Sequence, residues 1–339
     1  AGLRIYGPDA SGARLEGSKA FAKELFERNN IPAAASRTFT DHKDAIDYLE
    51  GREVYPVVIK ADGLAGGKGV LICENKDQAV QAIRDVMVEQ RFGEAGDKVL
   101  VEEFLRGEEA SIHAVTDGKT LVVLPTSQDH KRVGDGDQGL NTGGMGAYSP
   151  APVVTPALLE KVERQILIPT LHALRLEGIA YRGTLYAGLM LTQGGPRLLE
   201  YNVRFGDPET QVILPRIKSD FALLLKAAAD QKLADIEGIE FDDRTAVGVV
   251  MAAQGYPERY QTGKPISGLD QAGRLDDVQV YHAGTSDRSG QTITAGGRVL
   301  CVTALGETVR AARDRSYEGV DQISWDGAYY RKDIAHRAL

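Results

Sequence analysis

Cysteine and long apolar runs are scarce in this sequence, and its 40 Lys and Arg residues are outnumbered by 48 Asp and Glu. The 339 residues include two cysteines, Cys73 and Cys301, both in apolar strand-like runs, which excludes a disulfide framework. No apolar run approaches membrane-spanning length, and no signal-peptide pattern opens the chain. The net charge of −8 argues against a nucleic-acid-binding surface. We therefore expect a cytoplasmic globular protein that binds neither nucleic acid nor a membrane.

The chain is long enough for more than one domain. Its hydrophobic content of 42% and charged content of 26% are typical of globular proteins. From about Asp242 onwards, short β-type runs are broken by Gly, Pro and Asp turns, and a helix is predicted over Glu307–Tyr317. Residues 242–339 are thus predicted to form a small domain of strands with one helix.

Earlier in the chain, capping and periodicity predict two long helices. Ser18 is predicted to cap a helix that ends near Asn29, with Phe21, Leu25 and Phe26 on its apolar face. A second amphipathic helix is predicted over residues 155–177, with a bend at the proline at position 169.

One polar strand has the composition of a metal site. Glu200, Asn202 and Arg204 alternate with apolar residues at the end of a predicted hairpin of Gly183–Leu191 and Arg197–Asn202. A carboxylate and an amide carbonyl side by side are oxygen ligands of the kind that Mg²⁺ takes beside nucleotide phosphates. The guanidinium one step further suits a phosphate or a carboxylate. The alternative is an edge strand with a solvated polar face.

A Gly-rich segment, residues 61–69, joins two predicted strands, Tyr55–Lys60 and Val70–Cys73. A Walker loop and a dinucleotide-binding fingerprint both require a helix after the glycines, so both are excluded. A Gly-rich hairpin can still cover phosphates with its backbone N–H groups. Lys60 and Lys68 favour that interpretation over an ordinary exposed hairpin.

Two further stretches have the character of binding segments. Over Val99–Ser111 a strand leads through a short acidic linker into another strand. Backbone groups of such a linker can pair with an adenine edge, and an acidic residue can bind ribose hydroxyls. The alternative is an ordinary acidic loop. The stretch Ser127–Pro150 is long, polar and Gly-rich without periodicity, which is typical of a functional loop. Both charge signs meet within it and suit a zwitterionic substrate. We interpret His130 as a solvated or hydrogen-bonding residue rather than a general base.

These segments together resemble the ATP-grasp superfamily and, within it, the glycinamide ribonucleotide synthetases, which are phosphoribosylamine–glycine ligases. The resemblance runs almost from end to end, and its most specific parts are the last two. It rests on Gly-Ser-Lys-Ala-Phe-Ala-Lys (17–23), Val-Val-Ile-Lys-Ala-Asp-Gly-Leu-Ala-Gly-Gly-Lys-Gly-Val (57–70), Val-Glu-Glu-Phe-Leu-Arg-Gly-Glu-Glu-Ala-Ser (101–111), Gln-Asp-His-Lys-Arg through Thr-Gly-Gly-Met-Gly-Ala-Tyr-Ser-Pro (128–150) and Asn-Val-Arg-Phe-Gly-Asp-Pro-Glu-Thr-Gln (202–211).

The resemblance implies an α/β (α+β) fold. Two α+β lobes would hold ATP between them over residues 18–241, with the small lobe at about 55–105, followed by a small mixed β/α domain over 242–339. It also implies the reaction of ATP, glycine and 5-phosphoribosylamine to glycinamide ribonucleotide, ADP and phosphate through a glycyl phosphate, a step of purine biosynthesis. The implied cofactors are ATP and Mg²⁺ or Mn²⁺, and the implied assembly is a monomer or homodimer.

The resemblance also implies a role for each matching residue. For nucleotide binding these residues are Lys19, Lys60, Gly66, Gly67, Lys68, Gly69, Glu102, Phe104, Leu105 and Glu109. The metal ligands would be Glu200 and Asn202. The residues for glycine and the sugar phosphate would be Asp129, Lys131, Gly143, Gly144, Met145, Gly146, Arg204 and Asp207. The catalytic residues would be Arg204, Lys60 and Lys68.

The sequence departs from the superfamily pattern at one metal position. Many ATP-grasp enzymes carry another carboxylate on the strand before the Glu-x-Asn strand, and Tyr186–Met190 contains none. Two alternatives therefore stay open: another ATP-grasp carboxylate–amine ligase, such as a carboxylase-type protein, and a non-catalytic nucleotide-binding fragment.

The start of the sequence generates one expectation about activity. Leu3–Tyr6 has strand character without an earlier strand to pair with, and no initiator Met or second Gly-rich loop is present. We expect residues 1–17 to be the remnant of an N-terminal dinucleotide-fold-like domain. ATP and Mg²⁺ binding should then persist, whereas glycinamide ribonucleotide formation by this chain alone should be badly impaired. Full turnover with a normal KM for 5-phosphoribosylamine would contradict this expectation.

Overall fold

The structure is a computed structural model that describes residues 3–64 and 69–339. The chain folds as two compact units, each assembled from segments that are not contiguous in sequence. The first unit comprises Ala1–Val123, Val154–Arg204 and Ala222–Ile236, and the second comprises Leu124–Val153, Phe205–Phe221 and Glu237–Leu339. The domain boundaries at residues 17 and 241 stay predictions.

The α-helices are distributed over both units. They are α1 (Ala10–Gly17), α2 (Lys19–Arg28), α3 (His42–Glu50), α4 (Lys76–Ile83), α5 (Pro156–Val162), α6 (Ile168–Leu176), α7 (Thr210–Ile213), α8 (Phe221–Ala229), α9 (Leu269–Gly273) and α10 (Val309–Gln322). Short π-helical segments cover Arg84–Val88 and Glu163–Leu167, and 3₁₀ turns cover Gly93–Gly96, Asp135–Asp137, Leu214–Arg216, Leu233–Asp235 and His336–Ala338.

Within residues 3–64 and 69–339, the strands form three main sheets and two hairpins. They are β1 (Ser36–Phe39), β2 (Val57–Ala61), β3 (Val70–Cys73), β4 (Val99–Glu103), β5 (Glu108–Thr116), β6 (Leu121–Val123), β7 (Gln128–Asp129), β8 (Arg132–Gly134), β9 (Gln138–Asn141), β10 (Gly146–Ser149), β11 (Gly183–Thr192), β12 (Gly195–Asn202), β13 (Thr245–Ala253), β14 (Val278–His282), β15 (Thr285–Arg288), β16 (Gln291–Thr294), β17 (Arg298–Gly306) and β18 (Ala328–Tyr329).

The first unit contains two four-stranded sheets, ordered β1-β4-β2-β3 and β12-β11-β5-β6. In the first sheet β2 pairs with β3 and with β4, antiparallel in both cases. The inward residues of β2 and β4 pack with those of α3 and α4 in one core. The predicted strand–loop–strand arrangement around residues 61–69 is therefore confirmed for its two strands.

Helix α2 forms where the sequence predicts it. The Ser18 hydroxyl caps the helix by accepting a hydrogen bond from the Phe21 N–H at 3.2 Å. Phe21, Leu25 and Phe26 are buried in a core shared with β11, β12 and α6. Since each fully buried Leu or Phe side chain contributes about 1.5–3 kcal/mol, this face fixes the position of the helix in the unit.

The predicted long helix over residues 155–177 is present with an irregularity before its proline. Thr155 caps α5, and the π-helical segment Glu163–Leu167 connects α5 to α6, in which Pro169 occupies the first turn. A proline lacks an N–H, so a change of helical hydrogen bonding just before it accommodates the ring. The hairpin of β11 and β12 follows, also as predicted.

The second unit is built on the sheet β14-β17-β13-β10-β7, with β18 paired to β13. The apolar residues of β13 and β17 pack against α10, whose Ala312 and Val320 are buried. The strands and helix predicted after residue 242 are confirmed.

Two predictions about irregular segments were wrong. The stretch Ser127–Pro150 is not a long loop, because β7 and β10 join the sheet and β8 pairs with β9. Strands of two to four residues are too short to show a periodicity of two in the sequence. Leu3–Tyr6 is not a strand in the structure, because an isolated extended segment has no stable conformation without a pairing partner.

Across residues 3–64 and 69–339, no helix combines the length and the apolar character needed to cross a membrane.

The core around α2 predicts a difference between two leucine substitutions. Leu25 is fully buried, whereas Leu176 in α6 is 69% exposed. Leu25→Ala should reduce the free energy of unfolding by about 2–5 kcal/mol, because it leaves a cavity. Leu176→Ala should change it by less than about 0.5 kcal/mol. Urea unfolding followed by circular dichroism measures both, and equal effects of the two changes would contradict the described core.

Candidate nucleotide-binding site

The centre of the candidate site is a carboxylate flanked by two lysines, all buried. In the sheet of the first unit, Lys60 on β2 lies diagonally across from Glu102 on β4. Lys60 Nζ lies 3.0 Å from Glu102 Oε2, and Lys23 Nζ on α2 lies 3.1 Å from the same oxygen. The exposed fraction is 6% for each lysine and 1% for Glu102. A carboxylate buried this deeply requires charge partners, and the two lysines supply them.

The other oxygen of this carboxylate has no partner among the described residues. Glu102 Oε1 is buried and makes no hydrogen bond within the described part of the chain. A buried acceptor without a partner costs about 1–3 kcal/mol, so its persistence indicates a site for a ligand donor.

Burial and charge act in opposite directions on these lysines. Burial disfavours the ammonium form and lowers the pKa of Lys23 despite the nearby Glu102. Burial also opposes the charge on Lys60, but the Glu102 and Glu200 carboxylates outweigh it and raise the pKa of Lys60. Lys60 therefore remains protonated at neutral pH, as a phosphate ligand should.

Lys19 is held at the beginning of α2 by the segment that follows β2. Its ammonium donates to the Gly63 carbonyl at 3.0 Å. The Asp62 carboxylate accepts hydrogen bonds from the Ala20 N–H at 2.8 Å and from the Ser18 hydroxyl. Burial lowers the pKa of Lys19, while the Glu200 carboxylate acts to raise it. The Asp62 carboxylate thus joins the beginning of α2 to the end of β2.

The predicted metal ligands lie on the edge strand β12. The buried side chain of Tyr201 alternates with exposed Glu200 and half-buried Asn202. Arg204 follows the strand in a bend and donates to Asn202 Oδ1 at 3.2 Å, and its Nε lies 3.3 Å from a carboxylate oxygen of Glu16. The amide of Asn202 and the guanidinium of Arg204 are therefore in contact, and the alternation along β12 places Glu200 on the same strand face as Asn202. The Glu200 carboxylate also acts to raise the pKa of Lys19, Lys23 and Lys60.

The predicted adenine hinge has the expected strand–linker–strand form. Half-buried Phe104 and Leu105 form the linker between β4 and β5. Glu109 on β5 pairs in register with Met190 and acts to raise the pKa of Lys60.

Part of the predicted phosphate loop falls outside the described residues. This applies to Gly66, Gly67 and Lys68. Gly69 is described, and its carbonyl accepts a hydrogen bond from the Ala61 N–H at 2.9 Å.

Of the predicted substrate residues in the second unit, Asp129 lies on β7, Gly146 begins β10 and three further residues precede β10. Lys131 follows β7, and Asp207 lies in the turn before α7. Lys131 Nζ lies 3.0 Å from the Asp129 carboxylate. The glycine turn comprises Gly143, Gly144 and Met145, and it leads into Gly146, the first residue of β10. Met145 is fully buried, and its N–H donates to the His130 carbonyl at 2.8 Å.

Arg298, which sequence reasoning missed, joins this glycine turn to Asp207. It donates to the carbonyls of Gly143 and Asp207, at 2.8 Å each, and to the Asp207 carboxylate at 2.9 Å. Gly144 has a φ of +116°, and a Cβ there would lie 2.4 Å from Cδ of Pro208. Only glycine fits at this position.

A group of hydrogen bonds, which we term the clasp, holds residues 129–137 to residues 329–337. The fully buried Arg331 donates to the Arg132 carbonyl and to the carboxylates of Asp137 and Asp333. His130 is also buried, and its Nε2 accepts from the Ala335 N–H at 2.9 Å, which agrees with a hydrogen-bonding role. Further bonds of the clasp run from the Tyr329 hydroxyl to the Val133 carbonyl, from the Lys332 N–H to Asp135, from the Gly136 N–H to Asp333, and from Arg337 to Asp129 and Asp137.

Two family models cover most of the chain. The model of the ATP-grasp (A) domain of phosphoribosylglycinamide synthetase matches residues 17–210, and that of the C domain matches residues 246–337. The phosphoribosylamine–glycine ligase of Pseudomonas aeruginosa is 51% identical over 339 residues, which are 100% of this chain and 78% of that protein. The chain belongs to the phosphoribosylglycinamide synthetase family.

Solved structures agree with membership of the phosphoribosylglycinamide synthetase family. The phosphoribosylamine–glycine ligase of Thermotoga maritima is 37% identical and superimposes with a TM-score of 0.89, covering 98% of this chain and 82% of that one. The biotin carboxylase domain of Hydrogenobacter thermophilus 2-oxoglutarate carboxylase, solved with ADP and magnesium, is 18% identical with a TM-score of 0.73, covering 97% and 70%, and shows the fold alone. The ATP-grasp fold and the ligase assignment are confirmed over the carboxylase-type alternative.

Sequence reasoning found Lys19, Lys60, Glu200 and Asn202 but assigned no role to two of their neighbours. Lys23 lies four residues after Lys19 and hence on the same face of α2, which was an available signal. Asp62 stands inside the quoted Gly-rich motif. Arg298 lies 91 residues beyond Asp207 in the sequence and has no local signal.

The Asp62 contacts predict a substitution that separates stability from nucleotide binding. Asp62→Ala and Asp41→Ala each remove a carboxylate that accepts from the first turn of a helix, so each should cost about 1 kcal/mol of stability. Asp62→Ala should also raise the KM for ATP about tenfold or more, because Lys19 would shift. Asp41→Ala should leave this KM unchanged. Steady-state kinetics and thermal unfolding test the pair, and an equal KM in both variants would contradict this role of Asp62.

Proposed function

We propose that this chain joins glycine to 5-phosphoribosylamine, forming glycinamide ribonucleotide while ATP is converted to ADP and phosphate. Its membership of the phosphoribosylglycinamide synthetase family carries this assignment. A glycine carboxylate oxygen attacks the γ-phosphorus, ADP leaves, and glycyl phosphate forms. The amine of 5-phosphoribosylamine then attacks the carbonyl carbon and loses a proton as phosphate leaves. A cytoplasmic location remains the prediction from composition.

The lysines of the first unit are assigned to the nucleotide phosphates. Phosphoryl transfer depends on positioning and charge neutralisation more than on a covalent catalyst. Lys19 and Lys60 supply fixed positive charge, and the raised pKa of Lys60 keeps it protonated. Lys68 is proposed to cover the phosphates together with Gly66, Gly67 and Gly69. Such a covering loop would exclude water from an acyl phosphate that water hydrolyses.

The segment after β4 is assigned to the adenosine. The backbone of Phe104 and Leu105 would pair with the adenine edge, and Glu109 would accept hydrogen bonds from the ribose hydroxyls. The buried Oε1 of Glu102 supports this placement, because an adenine 6-amino group would supply the donor that this oxygen lacks among the described residues.

Glu200 and Asn202 are assigned to Mg²⁺, with Mn²⁺ as the alternative ion. The two side chains fit this ion, because they present a carboxylate and an amide oxygen on one strand face. When bound, Mg²⁺ neutralises and orients the nucleotide phosphates. Arg204 keeps the Asn202 side chain in place through its hydrogen bond.

The remaining residues are assigned to glycine and the sugar phosphate. Arg204 is proposed to face the acyl phosphate, since a guanidinium binds phosphate and carboxylate oxygens bidentately. The other assigned residues are Asp129, Lys131, Gly143, Gly144, Met145, Gly146 and Asp207. Their support is the hydrogen-bonded arrangement that Arg298 and the clasp impose on the second unit.

The metal assignment predicts the effect of removing one charge. Glu200→Gln keeps the shape of the side chain but weakens a metal ligand, so kcat/KM for ATP should fall about 100-fold. The unfolding temperature should not change, since Glu200 is exposed. Glu160→Gln is the matched control, because Glu160 is 67% exposed on α5. Near-normal turnover of Glu200→Gln at saturating Mg²⁺ would contradict the assignment.

The glycyl phosphate predicts the fate of an isotope. Glycine labelled with ¹⁸O in its carboxylate should transfer one labelled oxygen to the released phosphate, because the bridging oxygen of the acyl phosphate comes from glycine. Mass spectrometry of phosphate and nucleotide measures this transfer. Label in AMP would indicate adenylation instead, and a failure to release ADP with glycine would indicate a nucleotide-binding fragment.

A further inference from the structure

We propose that Lys23 is a positioning residue for the recognition of adenine. Together with Lys60 it holds the Glu102 carboxylate in one orientation, so that Oε1 accepts the N–H of a 6-amino group. The inference rests on the proposed function, in which the segment after β4 binds the base. It adds a determinant of nucleotide specificity that lies in helix α2 rather than in the hinge.

The geometry of the ion cluster distinguishes the two carboxylate oxygens. Both ammonium groups contact Oε2, Lys23 at 3.1 Å and Lys60 at 3.0 Å. The described residues place no hydrogen-bond partner on Oε1. A carboxylate held through one oxygen by donors from two different elements has little freedom to rotate. Its second oxygen is therefore presented in a defined direction.

Lys23 is built into the site. Its side chain is buried in α2, and its ammonium also lies 3.4 Å from the carbonyl of Ala34. A buried lysine is costly, and burial lowers its pKa. A lysine buried in a helix therefore needs a favourable interaction that offsets the cost of burying its ammonium group. For Lys23 this interaction is its contact with the Glu102 carboxylate, which is 1% exposed and already contacts Lys60.

The chemistry of the acceptor sets the specificity. An ionised carboxylate accepts hydrogen bonds and donates none, so it pairs with the 6-amino group of adenine and opposes the 6-oxo group of hypoxanthine. Sites that hydrogen-bond a substrate group strongly reject an analogue lacking the donor. If Lys23 is removed, the contact with Lys60 alone must orient the buried carboxylate. The preference for ATP over ITP should then weaken.

The test compares ATP with ITP in the full chain. Lys23→Met removes the charge at similar length, and we expect the ratio of kcat/KM for ATP to that for ITP to fall about tenfold or more. The loss should come from a higher KM for ATP, with kcat and the KM for ITP little changed. Lys23→Arg, which restores the charge, should recover most of the ratio. Lys43→Met is the control, because Lys43 is exposed on α3.

Other outcomes separate this inference from the function on which it rests. If Lys23→Met raises the KM for ATP and ITP equally, Lys23 acts on the phosphates and the inference is wrong. If Glu102→Gln loses the ratio while Lys23→Met keeps it, the adenine contact of Glu102 stands and the role of Lys23 is wrong. If neither change affects the ratio, the proposed contact of Glu102 with the base is itself wrong, and the inference falls with it. Should Lys23→Met not fold, Lys23→Gln replaces it in the same comparison.

Discussion

The contact between Glu102 and its two lysines is the constraint on which the first unit depends. The three charged groups come from α2, β2 and β4 and share a water-poor interior. Removing one partner of such a cluster leaves a buried charge uncompensated, which typically costs about 3–5 kcal/mol. The sheet and the helix must therefore form together. Their joint formation brings Lys19 and Lys60 into position and leaves Glu102 Oε1 available to a ligand. Structural and chemical requirements coincide in these few residues.

Much of this arrangement could be predicted from the sequence, because the relevant signals are local. Ser18 and the spacing of Phe21, Leu25 and Phe26 predict α2, and the structure has it at those bounds within a residue. Alternation predicts that Glu200 and Asn202 share a face of β12, which requires only that the strand be regular. A Gly-rich segment between two apolar strands likewise needs no distant information. Such elements follow from periodicity and capping, which operate within one or two turns of chain.

The remainder could not be predicted because it depends on residues far apart in sequence. Nothing near Arg298 indicates that it joins Gly143 to Asp207. The spacing of Lys19 and Lys23 places Lys23 on the same face of α2, but nothing in it indicates that Glu102 is the partner. The presence or absence of a pairing strand also explains the two wrong predictions, for Leu3–Tyr6 and for Ser127–Pro150. Leu3–Tyr6 has strand-like residues and no strand beside it, whereas β7 and β10 have weak patterns but partners in a sheet. The formation of a strand is a tertiary event, and composition alone reports only a tendency toward it.

The clasp has a consequence for the order in which the molecule is assembled during translation. It joins residues near position 130 to residues near position 333, some 200 positions further along the chain. A ribosome adds about 5–20 residues each second, so roughly 10–40 seconds separate the synthesis of the two sides. During that interval the buried polar groups of the earlier segment lack their partners. The bonds of the clasp can therefore form only after residues 329–337 have been synthesised, so the substrate residues near position 130 are among the last to acquire their final geometry.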